Sequence, residues 1–208
     1  MSTNNQQPTT IKDRALIIFI RRPELGKVKT RLARELGAEQ ALRIYQALLG
    51  HTREQALAVR ARRLLFYTDG IDWQDDWPAE QFHKYAQEGD ELGPRMAHAF
   101  GLALQQARAA IIVGSDIAQL SAAIIEKAFE DLERHDCVIG PALDGGYYLL
   151  GMKAPAPALF EGIAWSSPTV CAETIAAMQR LGKSYALAPT LSDIDYAEDW
   201  ARYGWPLG

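Results

Sequence analysis

Short apolar runs of strand length alternate with longer segments of helical periodicity along this chain. Three runs predict strands: ALIIFI (15–20), RLLFYTDG (63–70) and AAIIVGSD (109–116). Weaker patterns predict strands at FHKYAQ (82–87) and SYALAP (184–189). The segment DCVIGPALDGGYYLLGM (136–152) predicts a strand, a loop and a second strand.

Helical segments separate these strands. Residues 30–58 predict a helix broken near Gly37, because apolar residues in the second half recur on one helix face. These residues are Ala41, Ile44, Tyr45, Leu48 and Leu49. Further helices are predicted over 94–107, from a cap at Ser121 to about Arg134, over 168–181, and from Asp195 or Tyr196 onward. Strands joined by helices need crossover connections, so the pattern predicts an α/β fold with a mostly parallel sheet covered on both faces.

The composition is typical of one globular domain, which we place at 13–208. The chain has 208 residues, 48% of them apolar and 23% charged. Residues 1–12 lack the pattern of a secretory signal and are predicted to form a disordered tail. No apolar run approaches the ~20 residues that span a bilayer. Two isolated cysteines favour buried thiols in a reducing compartment, so we expect a cytoplasmic protein. The sequence is compatible with both a monomer and a homo-oligomer.

One local cluster of positive charge stands out against an acidic chain. The formal net charge is −4, which argues against nucleic acid as a general partner, yet RRPELGKVKTRLAR (21–34) holds six of the 22 Lys and Arg residues. The cluster follows the first predicted strand and leads into a helix, at the sheet edge where open α/β folds bind ligands. Gly26 would let the backbone approach a ligand, and Lys27, Lys29 and Arg31 add donors. This arrangement favours a diphosphate site.

The cluster also has other interpretations. The absence of GxxxxGK[ST] rules out a P-loop, and the absence of GxGxxG rules out a dinucleotide-binding fingerprint. A solvated, basic first helical turn is the remaining structural alternative. Cations at a helix N-terminus are unfavourable by about 0.3–1 kcal/mol each, which weighs against that alternative.

Carboxylates follow the other predicted strands, and polyphosphates usually bring Mg²⁺ or Mn²⁺ held by one or two carboxylates. Asp116 closes the strand IIVGSD and is the best metal-ligand candidate, although it could instead cap the next helix. Asp144 opens DGGYYLLG, which suggests close backbone approach to a ligand or an ordinary Asp-Gly turn. Asp193 and Asp195 precede the last helix, where one could be a cap with Glu198 as capping-box partner.

Neither the aromatic nor the histidine pattern adds a clear site. Trp165, in AWSS, favours a core position over a stacking platform. The four histidines show no metal-ligand spacing and no nucleophile partner.

Taken together, the motifs resemble a bacterial family of nucleotide-diphospho-sugar transferases, known as a domain of unknown function and often named as glycosyltransferases. The resemblance covers about residues 14–202 and rests on six stretches. These are PELGKVKTRLA, QEGDELGPRM, GSDIAQL, IGPALDGGYYLLG, AWSS and DIDYAEDW. It implies a GT-A type fold, a Rossmann-like mixed sheet that binds a nucleoside diphosphate at its first loop. The pattern is also similar to that of small nucleotidyltransferases.

The resemblance also implies roles for individual residues. The diphosphate loop would comprise Arg22, Gly26, Lys27, Lys29 and Arg31. Asp116 and Asp144 would be catalytic, with Asp116, Asp193 and Asp195 at the metal and Gly145, Gly146 and Tyr147 on the acceptor side. Such a site needs the cations beside Gly26 and the Asp116 carboxylate to face each other across a gap of pyrophosphate size. Two departures stand out: Arg22 replaces a typical Lys, and Ala118 replaces a typical Pro, which predicts a looser turn at Asp116.

The implied function is a metal-dependent transfer from a nucleotide-activated donor, with Mg²⁺ or Mn²⁺ as cofactor. A glycosyltransferase acting on a nucleotide sugar is favoured, with an unidentified small-molecule acceptor. A nucleotidyltransferase that releases pyrophosphate from a nucleoside triphosphate is the first alternative, and a nucleotide-binding protein without turnover is the second.

Overall fold

A computed structural model describes residues 13–207. The tail predicted over 1–12 lies outside the described residues. The strands are β1 (Arg14–Ile20), β2 (Arg62–Tyr67), β3 (His83–Ala86), β4 (Ala109–Val113), β5 (Cys137–Pro141), β6 (Tyr147–Met152) and β7 (Tyr185–Leu187). The helices are α1 (Thr30–Leu36), α2 (Ala38–Ala58), α3 (Leu92–Leu104), α4 (Ala122–Arg134), α5 (Val170–Arg180) and α6 (Ala197–Tyr203), with a short 3-10 helix at Pro157–Phe160.

The strands form one mixed sheet in the order β3-β2-β1-β4-β6-β5-β7. Strand β6 runs antiparallel to both of its neighbours, and every other pairing is parallel. Each predicted strand is present, so the α/β prediction with a mostly parallel sheet is confirmed.

Helices cover both faces of the sheet because alternate strand residues point to opposite sides. On one face, Leu16 and Ile18 pack in a core with α2 and α4. On the other face, Ala15 and Ile17 pack in a core with α3, α5 and the 3-10 helix. A third, smaller cluster joins α1, α2 and α6 beside the sheet edge and includes Ala118. Among residues 13–207, no helix is long and apolar enough to cross a membrane.

The order of the strands places several loops at one edge. Parallel strands β1, β2, β3 and β4 end at this edge, and the antiparallel β6 starts there, because Leu149 pairs with Val113. The loop from β5 to β6 therefore lies at the same edge as the loops after β1 and β4. Strands β2 and β4 flank β1 on opposite sides, and such a reversal of strand order is where open α/β sheets bind ligands.

Two helix starts differ from the sequence prediction. Helix α3 begins at Leu92, before the predicted 94, with Pro94 inside its first turn, where its missing N–H is tolerated. Helix α6 begins at Ala197, and its capping partner is Asp199 rather than the predicted Glu198. The Asp199 carboxylate accepts hydrogen bonds from the N–H groups of Asp195 (3.0 Å) and Tyr196 (2.7 Å).

Candidate functional site

The basic loop between β1 and α1 is fixed at its start and turned sharply at two positions. The Tyr45 hydroxyl accepts a hydrogen bond from the N–H of Arg21 and donates to its carbonyl, both at 3.0 Å. Gly26 has φ +74°, in the left-handed region, and a Cβ added there would meet nothing within 4 Å. The turn itself therefore requires this glycine. Lys29 also has a left-handed backbone, with φ +45°, although it carries a side chain.

The turn at Lys29 directs its side chain into the site. The side chain is only 7% exposed, and its Nζ lies 3.1 Å from Oδ2 of Asp116 and 3.3 Å from Oδ1 of Asp195. Burial alone would lower the pKa of Lys29, but the two carboxylates outweigh that effect and raise it. Lys29 is therefore a charged ammonium held between two carboxylates. The predicted gap between the cations and Asp116 is wrong at Lys29, because these groups are in contact.

The contact joins two loops that are themselves tied together. The N–H of Ile194 donates to the Asp116 carbonyl at 3.0 Å, which holds the segment before α6 against the loop after β4. Ala118 is 8% exposed and belongs to the third core cluster. The turn after Asp116 is thus held by this hydrogen bond and by apolar packing.

Asp193 is a partly buried carboxylate of this group. Its Oδ2 is buried without a hydrogen-bond partner among the described residues. Burial, together with the charges of Asp116 and Asp144, raises the pKa of Asp193 to about 8. Burial and the neighbouring carboxylates therefore disfavour a negative charge on Asp193.

An open cavity of about 610 Å³ lies between the carboxyl ends of β1 and β4. We call it the β1–β4 cavity. Lys29, Asp116 and Asp195 line it, with Arg21 and Arg31. The cavity is beside the Lys29–Asp116 pair rather than between its members, so a bound anion would contact the pair from the open side.

Arg31 stands where three cavities meet. Its Nη1 lies 2.7 Å from Oδ2 of Asp195, and the side chain is 60% exposed. Besides the β1–β4 cavity it lines a cavity of about 760 Å³ against α6, the α6 cavity, and one of about 400 Å³ beside Trp165, the Trp165 cavity. Asp144 lines the last two. The three cavities share Arg31 as a lining residue, and we refer to them together as the groove.

The remaining cations of the predicted loop lie elsewhere. Arg22 lines a separate cavity of about 360 Å³ and lies 3.8 Å from Asp72. Lys27 is 71% exposed and pairs with Glu24 at 2.6 Å. The structure therefore brings Lys29 and Arg31 to the β1–β4 cavity, and it does not bring Arg22 or Lys27 there.

The loop from β5 to β6 places Asp144 through its two glycines. Gly145 has φ +92°, and an added Cβ would lie 2.0 Å from the Pro168 carbonyl oxygen. Close packing against the loop before α5 therefore explains this glycine. The N–H of Gly146 donates to Oδ1 of Asp144 at 2.8 Å. Gly146 and Tyr147 line the Trp165 cavity, and the Tyr147 hydroxyl donates to the Met96 sulfur at 3.7 Å.

Thr68, Gln87 and Arg95 are polar residues of the β1–β4 cavity that the sequence does not single out. Thr68 and Gln87 directly follow β2 and β3 and line the cavity. Arg95, on α3, also lines it and donates to the Gly89 carbonyl at 2.8 Å. The rule that ligands bind at strand ends could have identified Thr68 and Gln87. Arg95 lies in the stretch QEGDELGPRM that carried part of the family resemblance.

The donor set fits a hard cation only in part. Asp116, Asp193 and Asp195 supply oxygens of the type that Mg²⁺ and Mn²⁺ prefer, and one of these oxygens is buried without a partner. Within residues 13–207, however, no three His, Cys, Asp or Glu side chains are arranged to hold a metal ion. The Lys29 ammonium occupies the position between Asp116 and Asp195 instead.

Solved structures share this fold. A "putative nucleotide-diphospho-sugar transferase" from Desulfovibrio desulfuricans G20 is 31% identical with a TM-score of 0.83, over 89% of this chain and 83% of that one. The 4-diphosphocytidyl-2C-methyl-D-erythritol synthase of Anaerococcus prevotii is 11% identical with a TM-score of 0.58, over 93% and 95%. A manganese complex of Rv0371C from Mycobacterium tuberculosis H37Rv is 11% identical with a TM-score of 0.50, over 93% and 98%. The last two show a shared fold alone.

Sequence comparison gives the family. A search of curated proteins found no match. The model of DUF2064, described as an uncharacterized protein conserved in bacteria, matches residues 51–167, which is more than half of the chain. That match and the 31% identity to the Desulfovibrio protein agree with the resemblance drawn from the motifs. The chain therefore belongs to the bacterial DUF2064 family.

Proposed function

We propose that this protein is a transferase that uses a nucleotide-activated donor, and that the donor is a nucleotide sugar. One observation carries the proposal: the β1–β4 cavity opens at the reversal of strand order and is lined by Lys29, Arg31 and Asp116. The description of the Desulfovibrio relative as a nucleotide-diphospho-sugar transferase supports the choice of donor.

The cations of the cavity suit a diphosphate. Lys29 is buried and charged, and Arg21, Arg31 and Arg95 line the same space. Donors fixed in place before the reaction stabilise charge that develops on a leaving group, because they need not reorganise. In this proposal Lys29 and Arg31 hold the diphosphate while the bond to the sugar breaks, and the diphosphate leaves with the nucleotide.

Asp116 and Asp193 would hold a divalent cation together with phosphate oxygens of the donor. Mg²⁺ commonly binds one or two carboxylates and completes its shell with substrate phosphates and water, so a set of three protein ligands is not required. When bound, the cation would supply further positive charge at the diphosphate. Asp195 already binds Lys29 and Arg31, and its role would be to orient those cations.

The acceptor would lie on the Asp144 side of the groove. Asp144 lines both cavities that join the β1–β4 cavity at Arg31, so an acceptor hydroxyl there would stand near the end of the donor. The carboxylate is the candidate general base for that hydroxyl. Gly145 positions the carboxylate through packing, and Tyr147 contributes a wall of the Trp165 cavity.

The leaving group separates the two transfer reactions. Glycosyl transfer releases a nucleoside diphosphate, and nucleotidyl transfer from a triphosphate releases pyrophosphate. The fold shared with the Anaerococcus 4-diphosphocytidyl-2C-methyl-D-erythritol synthase supports the second reaction as the alternative. Nucleotide sugars and nucleoside triphosphates would be incubated with the protein, and both products measured. Pyrophosphate without nucleoside diphosphate would replace our first proposal by the second.

Removal of the metal with a chelator and the variant Asp116→Asn both test whether nucleotide binding depends on a divalent cation. We expect Mn²⁺ to tighten nucleoside diphosphate binding at least tenfold in isothermal titration, and Asp116→Asn to abolish that gain. Leu187→Ser, at an exposed position on β7, is the control variant and should keep the gain in affinity with Mn²⁺. Binding that is equal with Mn²⁺ and with chelator, in the absence of any product, would favour the nucleotide-binding protein without turnover.

A further inference from the structure

The Trp165 cavity has its own chemistry, distinct from that of the β1–β4 cavity. Its volume of about 400 Å³ falls within the common range for small-molecule pockets, about 300–1,000 Å³. The only charged side chains among its lining residues are one guanidinium, from Arg31, and one carboxylate, from Asp144. Ser166 and Ser167 add hydroxyl groups, and Trp165 adds a partly buried indole.

The loop that carries these groups is held from both sides. A Cβ added to Gly93 would lie 2.8 Å from the Trp165 ring, so the indole packs directly on the start of α3. Glu173 accepts hydrogen bonds from the Ala164 N–H (2.8 Å) and the Thr169 hydroxyl (2.7 Å). Ser166 has φ +64°, one of two non-glycine positive values among the described residues, the other being at Lys29. Strained backbone of this kind persists where surrounding contacts enforce it.

The lining discriminates between ligand classes. A phosphate would meet the Asp144 carboxylate, and Arg31 alone would not offset both charges. A purely apolar ligand would strip water from a carboxylate, a guanidinium and two hydroxyls without replacing their hydrogen bonds. A neutral ring with several hydroxyl groups satisfies these donors and acceptors, and its C–H face can pack on the negative face of the indole.

We propose that the Trp165 cavity binds the ring of an uncharged sugar or cyclic polyol, with Trp165 as its platform and Ser166 and Ser167 as hydrogen-bonding partners. The inference rests on the proposed function, which puts sugar chemistry in the adjoining cavity. Arg31 and Leu92 line both cavities, so a ring here lies next to a bound diphosphate. The ring can belong to the donor or to the acceptor, and the experiment distinguishes these sources.

The experiment follows Trp165 directly. The protein is labelled with 5-fluorotryptophan, and the Trp165 fluorine signal is assigned from its loss in Trp165→Phe. Trp73→Phe, which replaces a 68% exposed tryptophan that lines none of the three cavities of the groove, is the matched control. The ligands are nucleoside diphosphates, their glucose and mannose conjugates, free glucose, free myo-inositol, and glucose 6-phosphate.

A donor ring predicts that the Trp165 signal moves with a nucleotide sugar and not with the matching nucleoside diphosphate. An acceptor ring predicts that free glucose or myo-inositol moves it beyond the diphosphate alone. The inference is overturned if neither a nucleotide sugar nor a free neutral sugar moves the signal beyond the nucleoside diphosphate alone while nucleotide binding is intact, or if only glucose 6-phosphate moves it. Free sugars are also tested without nucleotide, so that binding in the Trp165 cavity is measured independently of nucleotide binding. Loss of all nucleotide binding would contradict the proposed function and would leave the inference about the Trp165 cavity to be decided by the free sugars.

Two serine variants test the hydrogen bonds, and urea unfolding of each is measured beside binding because the Ser167 hydroxyl also lies 2.7 Å from the Thr169 hydroxyl. Ser166→Gly removes the hydroxyl at a backbone conformation that glycine adopts readily, so the variant should fold at least as stably as the parent. Ser167→Ala removes the second hydroxyl. Each should weaken binding of the ligand that moves the Trp165 signal by about three- to tenfold, the effect of one hydrogen bond. Unchanged affinity for that ligand in both variants would contradict the assigned partners.

Discussion

The Nζ atom of Lys29 lies 3.1 Å from Oδ2 of Asp116, so the basic loop after β1 and the proposed metal ligand touch directly. The ammonium also binds Asp195, which leaves it with two carboxylate partners in this state. A bound donor would add negative charge on one side of this contact, and a divalent cation would add positive charge on the other. Both would compete for partners that are now paired with each other.

Replacing Lys29 by Ala and by Gly should separate charge from backbone strain. Both variants lose the cation, so both should bind nucleoside diphosphates more than tenfold more weakly, given about 1.5–3 kcal/mol for a hydrogen bond to a charged group. Only Lys29→Gly relieves the left-handed backbone at φ +45°. We expect it to be about 1–2 kcal/mol more stable than Lys29→Ala in urea unfolding. Equal stability of the two would show that the turn is not strained, and unchanged binding would remove Lys29 from the diphosphate site.

Arg31 and Lys27 form a matched pair for the charge of the loop. Arg31 lines all three cavities of the groove, whereas Lys27 is 71% exposed and bonds to Glu24. Arg31→Ala should weaken nucleoside diphosphate binding about tenfold or more, as expected for one charged hydrogen bond. Lys27→Ala should change binding less than about twofold, because exposed pairs contribute little. Titration calorimetry measures both. Equal losses would mean that only net charge matters, and the geometric assignment would fail.

The elements of the fold could be predicted because their residues are periodic and buried. The neighbouring residues Ile17 and Ile18 lie in the cores on opposite faces of the sheet. The apolar run that contains them predicts this buried strand. Because both residues follow parallel strands, the sequence predicted that Lys29 and Asp116 lie at the same edge of the sheet. It did not predict that their side chains are in contact. That contact depends on the left-handed turn at Lys29, which residue type does not predict.

The same turn explains why the loop cations could not be sorted in advance. Arg22, Lys27, Lys29 and Arg31 have similar chemistry and lie within ten positions. Which of these side chains face the cavity depends on the turns at Gly26 and Lys29. The sequence does not show whether Gly26 serves a turn or the close approach of a ligand. The pattern therefore indicated the edge of the sheet where these residues lie, and it could not distinguish the residues that line the cavity from those that do not.

Asp193→Asn should stabilise the metal-free protein. Burial and neighbouring carboxylates raise the pKa of Asp193 to about 8 from an ordinary 3.8, so the folded state binds this proton more tightly than the unfolded state. Asp193 therefore lowers the unfolding free energy progressively as pH rises from about 4 to about 8. The asparagine variant lacks this penalty, and we expect it to be about 1–3 kcal/mol more stable near pH 8 and close to the parent near pH 4.

Urea unfolding in the presence of a chelator measures that difference. Asp90→Asn, at an exposed carboxylate, is the control and should alter the unfolding free energy by less than about 0.5 kcal/mol. If Asp193→Asn is destabilised near pH 8, the carboxylate has a compensating partner and is not an unpaired charge. The variant should also lose the effect of Mn²⁺ on nucleotide binding, and this loss would distinguish a ligand role from a purely structural one.

Gly145→Ala and Gly26→Ala should differ sharply although both glycines have a left-handed backbone. At Gly145 the added Cβ would lie 2.0 Å from the Pro168 carbonyl oxygen, whereas at Gly26 it would meet nothing within 4 Å. We expect Gly26→Ala to cost about 1–2 kcal/mol, the conformational penalty alone. Gly145→Ala adds the clash and should cost about 2–5 kcal/mol. Urea unfolding compares the two.

Because relief of the clash must move the loop of Pro168 or that of Asp144, Gly145→Ala should also shift the Trp165 fluorine signal, and Gly26→Ala should not. Equal destabilisation with no shift would show that the two loops are not packed as described.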